Sequence, residues 1–86
     1  MKEIIKFYAE WCGPCRMYNP IWDEFKRENE GKASFIEVDI DKDTTGLAAK
    51  FKVRNIPSTV VVESNGDFKK EVGLLNYSKL KELTNL

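Results

Sequence analysis

The chain of 86 residues carries its apolar positions in two different rhythms. Glu3 to Tyr8 (EIIKFY) is rich in β-branched and aromatic residues and predicts a strand, ended by the turn-forming run Ala9-Glu10-Trp11-Cys12-Gly13-Pro14. From Pro14 to about Glu30, Met17, Tyr18, Ile21, Trp22 and Phe25 repeat on one face of a 3.6-residue period, so this stretch reads as an amphipathic helix. Its start is expected close to Cys12 and its stop at Gly31, with a bend near Arg16 to Pro20, because Pro20 lacks an N–H and its ring crowds the preceding turn. Ala33 to Asp39 (ASFIEVD) predicts a second strand, and the single helix between the two implies a right-handed βαβ crossover with parallel pairing.

Beyond the second strand the pattern shortens. Thr44 or Thr45 can cap a brief helix running to about Phe51, and the loop Lys52 to Pro57 leads into Ser58 to Glu63 (STVVVE), a Val-rich strand expected to be buried on both faces. Asn65-Gly66 favours a type I′ turn, which returns Asp67 to Val72 as an antiparallel neighbour. Asn76 can cap a last amphipathic helix carrying Leu80 and Leu83. The order is βαβαββα, an α/β arrangement, and with no linker, repeat or low-complexity stretch, residues 1–86 read as one domain.

Charge narrows the function classes. Lys plus Arg equals Asp plus Glu at 14 each, which removes the basic field that nucleic-acid or anionic-membrane partners require. No apolar run approaches the roughly 18 residues of a membrane span, and Met1 to Lys6 lacks a signal-peptide core, so a cytoplasmic monomer is expected.

The two cysteines, Cys12 and Cys15, are the chemistry-bearing residues. A bridge between them closes too small a loop to stabilise much, and zinc needs four ligands where this chain offers two Cys and no His, so no metal or resident cofactor is expected. Redox chemistry explains the pair better. Cys12 falls at the helix start, where free backbone N–H groups and the positive dipole end favour a thiolate, the species that attacks disulfides. Cys15, one turn later, stands beside it and can resolve the mixed disulfide. Gly13 permits the close turn, and Pro14 pre-sets the first helical φ at a position whose N–H has no intrahelical partner.

With these residues in view, the chain resembles the thioredoxin family from about Ile4 to Leu83. Trp11-Cys12-Gly13-Pro14-Cys15 matches the family's active-site motif, Ala9-Glu10 precede it as they commonly do, and Pro20 stands where the family's helix-kinking proline stands. Ile56-Pro57-Ser58 is similar to the family's Ile-Pro-Thr, and Asn65-Gly66 and Val72-Gly73 match its later hairpin and groove glycine. The resemblance implies a cis Pro57 facing the Cys pair. It also implies a substrate groove in which the Ile56 backbone docks an extended segment and Trp11, Pro57 and Gly73 line the walls. The implied partners are disulfide-bearing proteins and a thioredoxin reductase.

Two departures stand out. Thioredoxins usually open with a further strand and helix; here the first strand starts almost at Met1, so the sheet is expected to be four-stranded and mixed, in the order 2-1-3-4 with helices on both faces. Glu37 or Asp39 can then guard the edge formed by the second strand. Where the family places a buried acidic residue with a Lys companion, this chain has Lys6 and Glu37. Either the ion pair persists with its charges exchanged, or Lys6 snorkels to water and never meets Glu37.

The reading is thus a protein-disulfide reductase that needs no bound cofactor. The short frame also resembles glutaredoxins, which draw electrons from glutathione, although Gly13-Pro14 between the Cys residues differs from the Pro-Tyr or Val-Tyr usual there. A binding subunit that uses the fold as a docking surface is a third alternative. Asp39, Asp41 and Asp43 imitate the start of a calcium loop, but Thr44 and Lys50 occupy the places of its glycine and last carboxylate. Asn76-Tyr77-Ser78 is better read as a helix cap than as a glycosylation site.

Overall fold

A computed structural model describes residues 1–86. In chain order it contains β1 (Glu3–Tyr8), α1 (Gly13–Glu28), β2 (Ser34–Asp39), α2 (Leu47–Lys50), β3 (Ser58–Val62), β4 (Phe68–Val72) and α3 (Tyr77–Thr84). The sheet order is β2-β1-β3-β4, with β1 and β2 parallel and the β1–β3 and β3–β4 pairs antiparallel. This is the expected thioredoxin-like architecture.

Side-chain alternation along β1 builds two cores, one on each face. Ile4 faces α1 and α3 and packs with Tyr18, Trp22, Phe25, Leu75 and Leu80. Ile5 and Phe7 face the opposite side and pack with Val38, Phe51 and Val60. Sheets covered on both faces carry near-continuous apolar strands, and β3 follows the rule from Ser58 to Val61, all buried. Lys6 interrupts it on β1, and its side chain is only 3% exposed.

The helix α1 runs through Pro20 without interruption, and Pro14 occupies its first turn. Its inner face meets α3 through the edge-to-face pair Phe25–Tyr77, with ring centroids 5.5 Å apart, and a Tyr77–Glu28 hydrogen bond closes the contact outside. Tyr18 reaches the sheet, where its hydroxyl shares a 2.8 Å hydrogen bond with Thr59; burial, opposed by that bond, pushes the phenol pKa up to about 12.

Three local expectations need correction. The short helix α2 ends at Lys50, and its N-cap is Gly46 with φ +76°, not Thr44 or Thr45. Its first N–H groups are taken by the loop instead: Leu47 donates to Thr45 Oγ1 at 3.1 Å and Ala48 to Asp43 Oδ2 at 3.3 Å. The β3–β4 hairpin is not type I′, which needs positive φ at both central residues, because only Gly66 has one (+96°). Gly66 N–H returns to Glu63 O at 2.9 Å and Glu63 N–H bonds Asp67 O at 2.7 Å, giving a three-residue loop closed by a left-handed glycine. Finally, α1 ends at Glu28, two residues short of the expected limit, where Asn29 caps it by donating its side-chain amide to Phe25 O at 2.8 Å.

Candidate active site

The strand β1 delivers the chain into a tight turn, with Cys12 N–H donating to Ala9 O at 3.2 Å, and α1 begins at the next residue. Cys12 is the N-cap of that helix, extended at φ −87° and ψ 111°, and its Sγ accepts the backbone N–H of Cys15 at 3.2 Å. A cap oxygen normally fills this place; here a sulfur does. Cys12 and Cys15 form a disulfide with Cα atoms 5.2 Å apart, and both residues are buried with Ala9, under partly buried Tyr8, Ile40 and Ile56. Gly13 and Pro14 cover the first turn from the outside.

Of the site residues named from the sequence, Ile56 meets this pair, and Pro57 and Gly73 are joined to it. The Ile56–Pro57 peptide is cis, and Ile56 O stands 3.9 Å from Cys12 Sγ. In the disulfide that sulfur has no proton to donate; in the dithiol its S–H can point at this carbonyl. Pro57 is buried, and its carbonyl accepts the N–H of Gly73 at 2.8 Å, which holds the β4 end against the cis loop. Gly73 has φ +106°, a conformation side chains disfavour. Ser58 Oγ donates to Asn55 O at 2.5 Å and fixes the loop from its other end.

Trp11 is 66% exposed beside the sulfurs, and its indole N–H donates to Asp41 Oδ2 at 2.7 Å. Asp41 belongs to the calcium-like run of the sequence, and this contact is invisible there because it depends on how the β2 exit loop folds toward the β1 exit loop. A second tie joins the same loops, Lys42 Nζ to Glu10 Oε1 at 3.2 Å, and Arg16 donates to Glu10 O at 3.0 Å. None of the four surface cavities is lined by the Cys pair or by the Ile56–Pro57 loop. Exposed Trp11 and the backbone of Ile56 border the sulfurs, an arrangement that fits an extended chain laid across them.

The strand register places Lys6 opposite Glu37, and their charged atoms meet at 3.5 Å. The alternative in which Lys6 snorkels to water does not occur. The ion pair is present with its charges exchanged, and it is not exclusive: the direct hydrogen bond from Lys6 Nζ goes to Asn19 Oδ1 at 2.8 Å, and Glu37 is shared with Lys26 at 3.2 Å. Burial pushes the Lys6 ammonium below its ordinary value despite the pull of Glu37. Burial alone would raise Glu37, but its hydrogen bond from Lys26 and the charge of Lys6 outweigh that and hold the carboxyl below the usual range. Asn19 escaped the sequence reading. The one signal was an amide four residues after Cys15, next to Tyr18 on the inner helix face, where a polar group needs a partner.

A family model described as Thioredoxin matches residues 1–85. The chain belongs to the thioredoxin family. It is 35% identical over 81 residues to thioredoxin of Staphylococcus aureus, covering 94% of this chain and 77% of that protein. The structure of Fasciola hepatica thioredoxin is 30% identical with a TM-score of 0.85, covering 98% of this chain and 78% of the other. The oxidised form of mitochondrial thioredoxin 3 from Saccharomyces cerevisiae is 27% identical with a TM-score of 0.84, covering 99% and 78%. As a thioredoxin-family protein with a joined Cys pair, the chain is a thiol:disulfide oxidoreductase acting on protein disulfides. Thioredoxins in general take disulfide substrates and are served by a thioredoxin reductase. No helix of this chain is long and apolar enough to cross a membrane.

Proposed function

We propose that Cys12 is the attacking sulfur and Cys15 the resolving one. The observation that carries this assignment is the Cys15 N–H donated to Cys12 Sγ at the N-cap of a 16-residue helix. A hydrogen bond to the charged form and the positive dipole end both favour a Cys12 thiolate. Comparable placements bring cysteine pKa values to about 3.5–7.5, a range in which thioredoxins are themselves among the established cases. Cys15, the more deeply buried of the two, is released as a thiol when the bridge opens.

The exchange runs in two displacements. The Cys12 thiolate attacks one sulfur of a substrate disulfide, forming a mixed disulfide and expelling the other substrate sulfur as a thiolate. Cys15, deprotonated, then attacks Cys12 Sγ; the Cys12–Cys15 bond forms and the second substrate thiolate leaves. Two electrons pass to the substrate and two protons complete its thiols. Gly13 and Pro14 hold the turn, while Trp11, Ile56, Pro57 and Gly73 receive the substrate segment, with the Ile56 backbone docking it by strand-like hydrogen bonds.

The wider reading is one domain acting as a monomer in the cytoplasm and regenerated by a thioredoxin reductase. Reduction of insulin disulfides, followed with dithiothreitol, with NADPH plus thioredoxin reductase, or with glutathione as electron source, tests it. Turnover is expected with the first two and little with glutathione. Turnover with glutathione alone would point to a glutaredoxin-like protein, and none with any reductant to a binding subunit.

A further inference from the structure

Lys6 is the one Lys, Arg, Asp or Glu buried in the protein, and the exchange chemistry above makes no use of it. The Lys6 ammonium lies between the sheet and α1, hydrogen-bonded to Asn19 and flanked by the faces of Tyr8 and Trp22, each centroid 5.3 Å away. Asn19 comes one helical turn after Cys15, a spacing that sets Cβ atoms roughly 5–6 Å apart. Tyr8 touches the Ala9–Cys12–Cys15 cluster from the other side. The cation is thus held between the strand that precedes Cys12 and the helix that carries Cys15, with Tyr8 and Asn19 between it and the redox pair.

We infer that Lys6 is a positioning residue of the redox site, a fixed buried cation that stabilises the thiolate of the reduced protein. The inference rests on the proposed role of Cys12. Its sign depends on how the neighbouring charges are disposed. Glu37, on β2, is the one anion in salt-bridge contact with Lys6, and it is 35% exposed and shared with Lys26 on α1. Its field is therefore partly screened by water and partly cancelled, whereas Lys6 is flanked by the Trp22 and Tyr8 rings and only 3% exposed. Asp23 on α1 acts on Lys6 only at longer range. Around the sulfurs themselves, Glu10 is tied to Lys42, and Asp41 to Trp11, all at the surface.

A charge stabilises only the charged form. At neutral pH the half-reaction is disulfide plus two electrons plus one proton giving Cys12 thiolate and Cys15 thiol, so a cation favours the reduced side and raises the potential. In acid the product is two neutral thiols and the effect vanishes. A residue that merely supported packing would not show this pH dependence.

The test compares parent, Lys6→Met and Lys6→Met/Glu37→Gln, each checked for folding by circular dichroism. The pH midpoint of Cys12 alkylation by iodoacetamide and the reduction potential between pH 5 and pH 8 are the readouts. Lys6→Met is expected to raise the Cys12 midpoint by roughly one unit, the size expected of a charge on the order of 10 Å away at an effective dielectric near 20. That unit is a tenfold change in the couple at neutral pH, about 30 mV more negative, converging on the parent in acid. The double variant, which also loses the opposing anion, should show a smaller rise in the same direction. If Lys6→Met does not fold, Lys6→Gln, which keeps a donor for Asn19, carries the same test. A midpoint and neutral-pH potential equal to the parent in a folded variant that still reduces insulin overturn the inference. Retained turnover in a Cys12→Ser variant would instead remove the reading on which it stands.

Discussion

Replacing Cys12 by Ser is expected to lower insulin reduction more than about 10³-fold while leaving the fold intact, because a hydroxyl at this site is not ionised and cannot enter disulfide exchange. Ser is itself a favoured N-cap and can accept the Cys15 N–H as the sulfur does, so the helix start survives the change. Cys15→Ser separates the two roles. Cys12 can still attack, but nothing displaces the substrate, and a covalent mixed disulfide should accumulate in place of turnover, visible as a mass increase on non-reducing analysis. Equal loss in both variants without a trapped adduct would contradict the division of labour between the two sulfurs.

The second large effect concerns stability. Phe25 is 1% exposed and joins three elements, packing edge-to-face on Phe35 of β2 and on Tyr77 of α3. Truncation of a buried Phe costs about 3–5 kcal/mol. A domain of this length has roughly 4–13 kcal/mol in total, at about 0.05–0.15 kcal/mol per residue. Phe25→Ala is thus expected to lower Tm by at least ~12 °C and to remove a large share of the unfolding free energy in urea. A loss under about 1 kcal/mol would mean that α1 and α3 are not held through this contact. The disulfide-exchange residues lie at the other end of α1, so whatever fraction remains folded should keep its Cys12 reactivity.

How much of this the sequence revealed depends on the range over which each feature is determined. The strands β1, β2 and β3 and the helices α1 and α3 were legible because their periods are local and long enough to read, and the sheet order followed from the crossover rule and the family likeness. The site's core was legible for the same reason: Trp11 to Cys15 is contiguous, and a CxxC at a helix start has a physical purpose. The short elements misled. The N-cap of α2 is a left-handed Gly46, and the loop side chains of Thr45 and Asp43 take the first helical N–H groups; Thr45 was legible as a nearby acceptor, the glycine cap and Asp43 were not. The surroundings of Lys6 were half legible. Strand register brought Glu37 opposite it, but the stronger partner, Asn19, depends on the rotation of α1 over the sheet, and the sharing of Glu37 with Lys26 depends on the same rotation. The Trp11–Asp41 tie joins two loop exits and could be found only in three dimensions.

The reactivity of Cys12 is read most directly from the rate of its carboxamidomethylation in the reduced protein as a function of pH, with the labelled residue identified by peptide mapping. Cys12 is expected to be labelled well before Cys15, with a rate that reaches half-maximum clearly below the free-cysteine value of about 8.5. A midpoint at or above that value, or preferential labelling of Cys15, would contradict it.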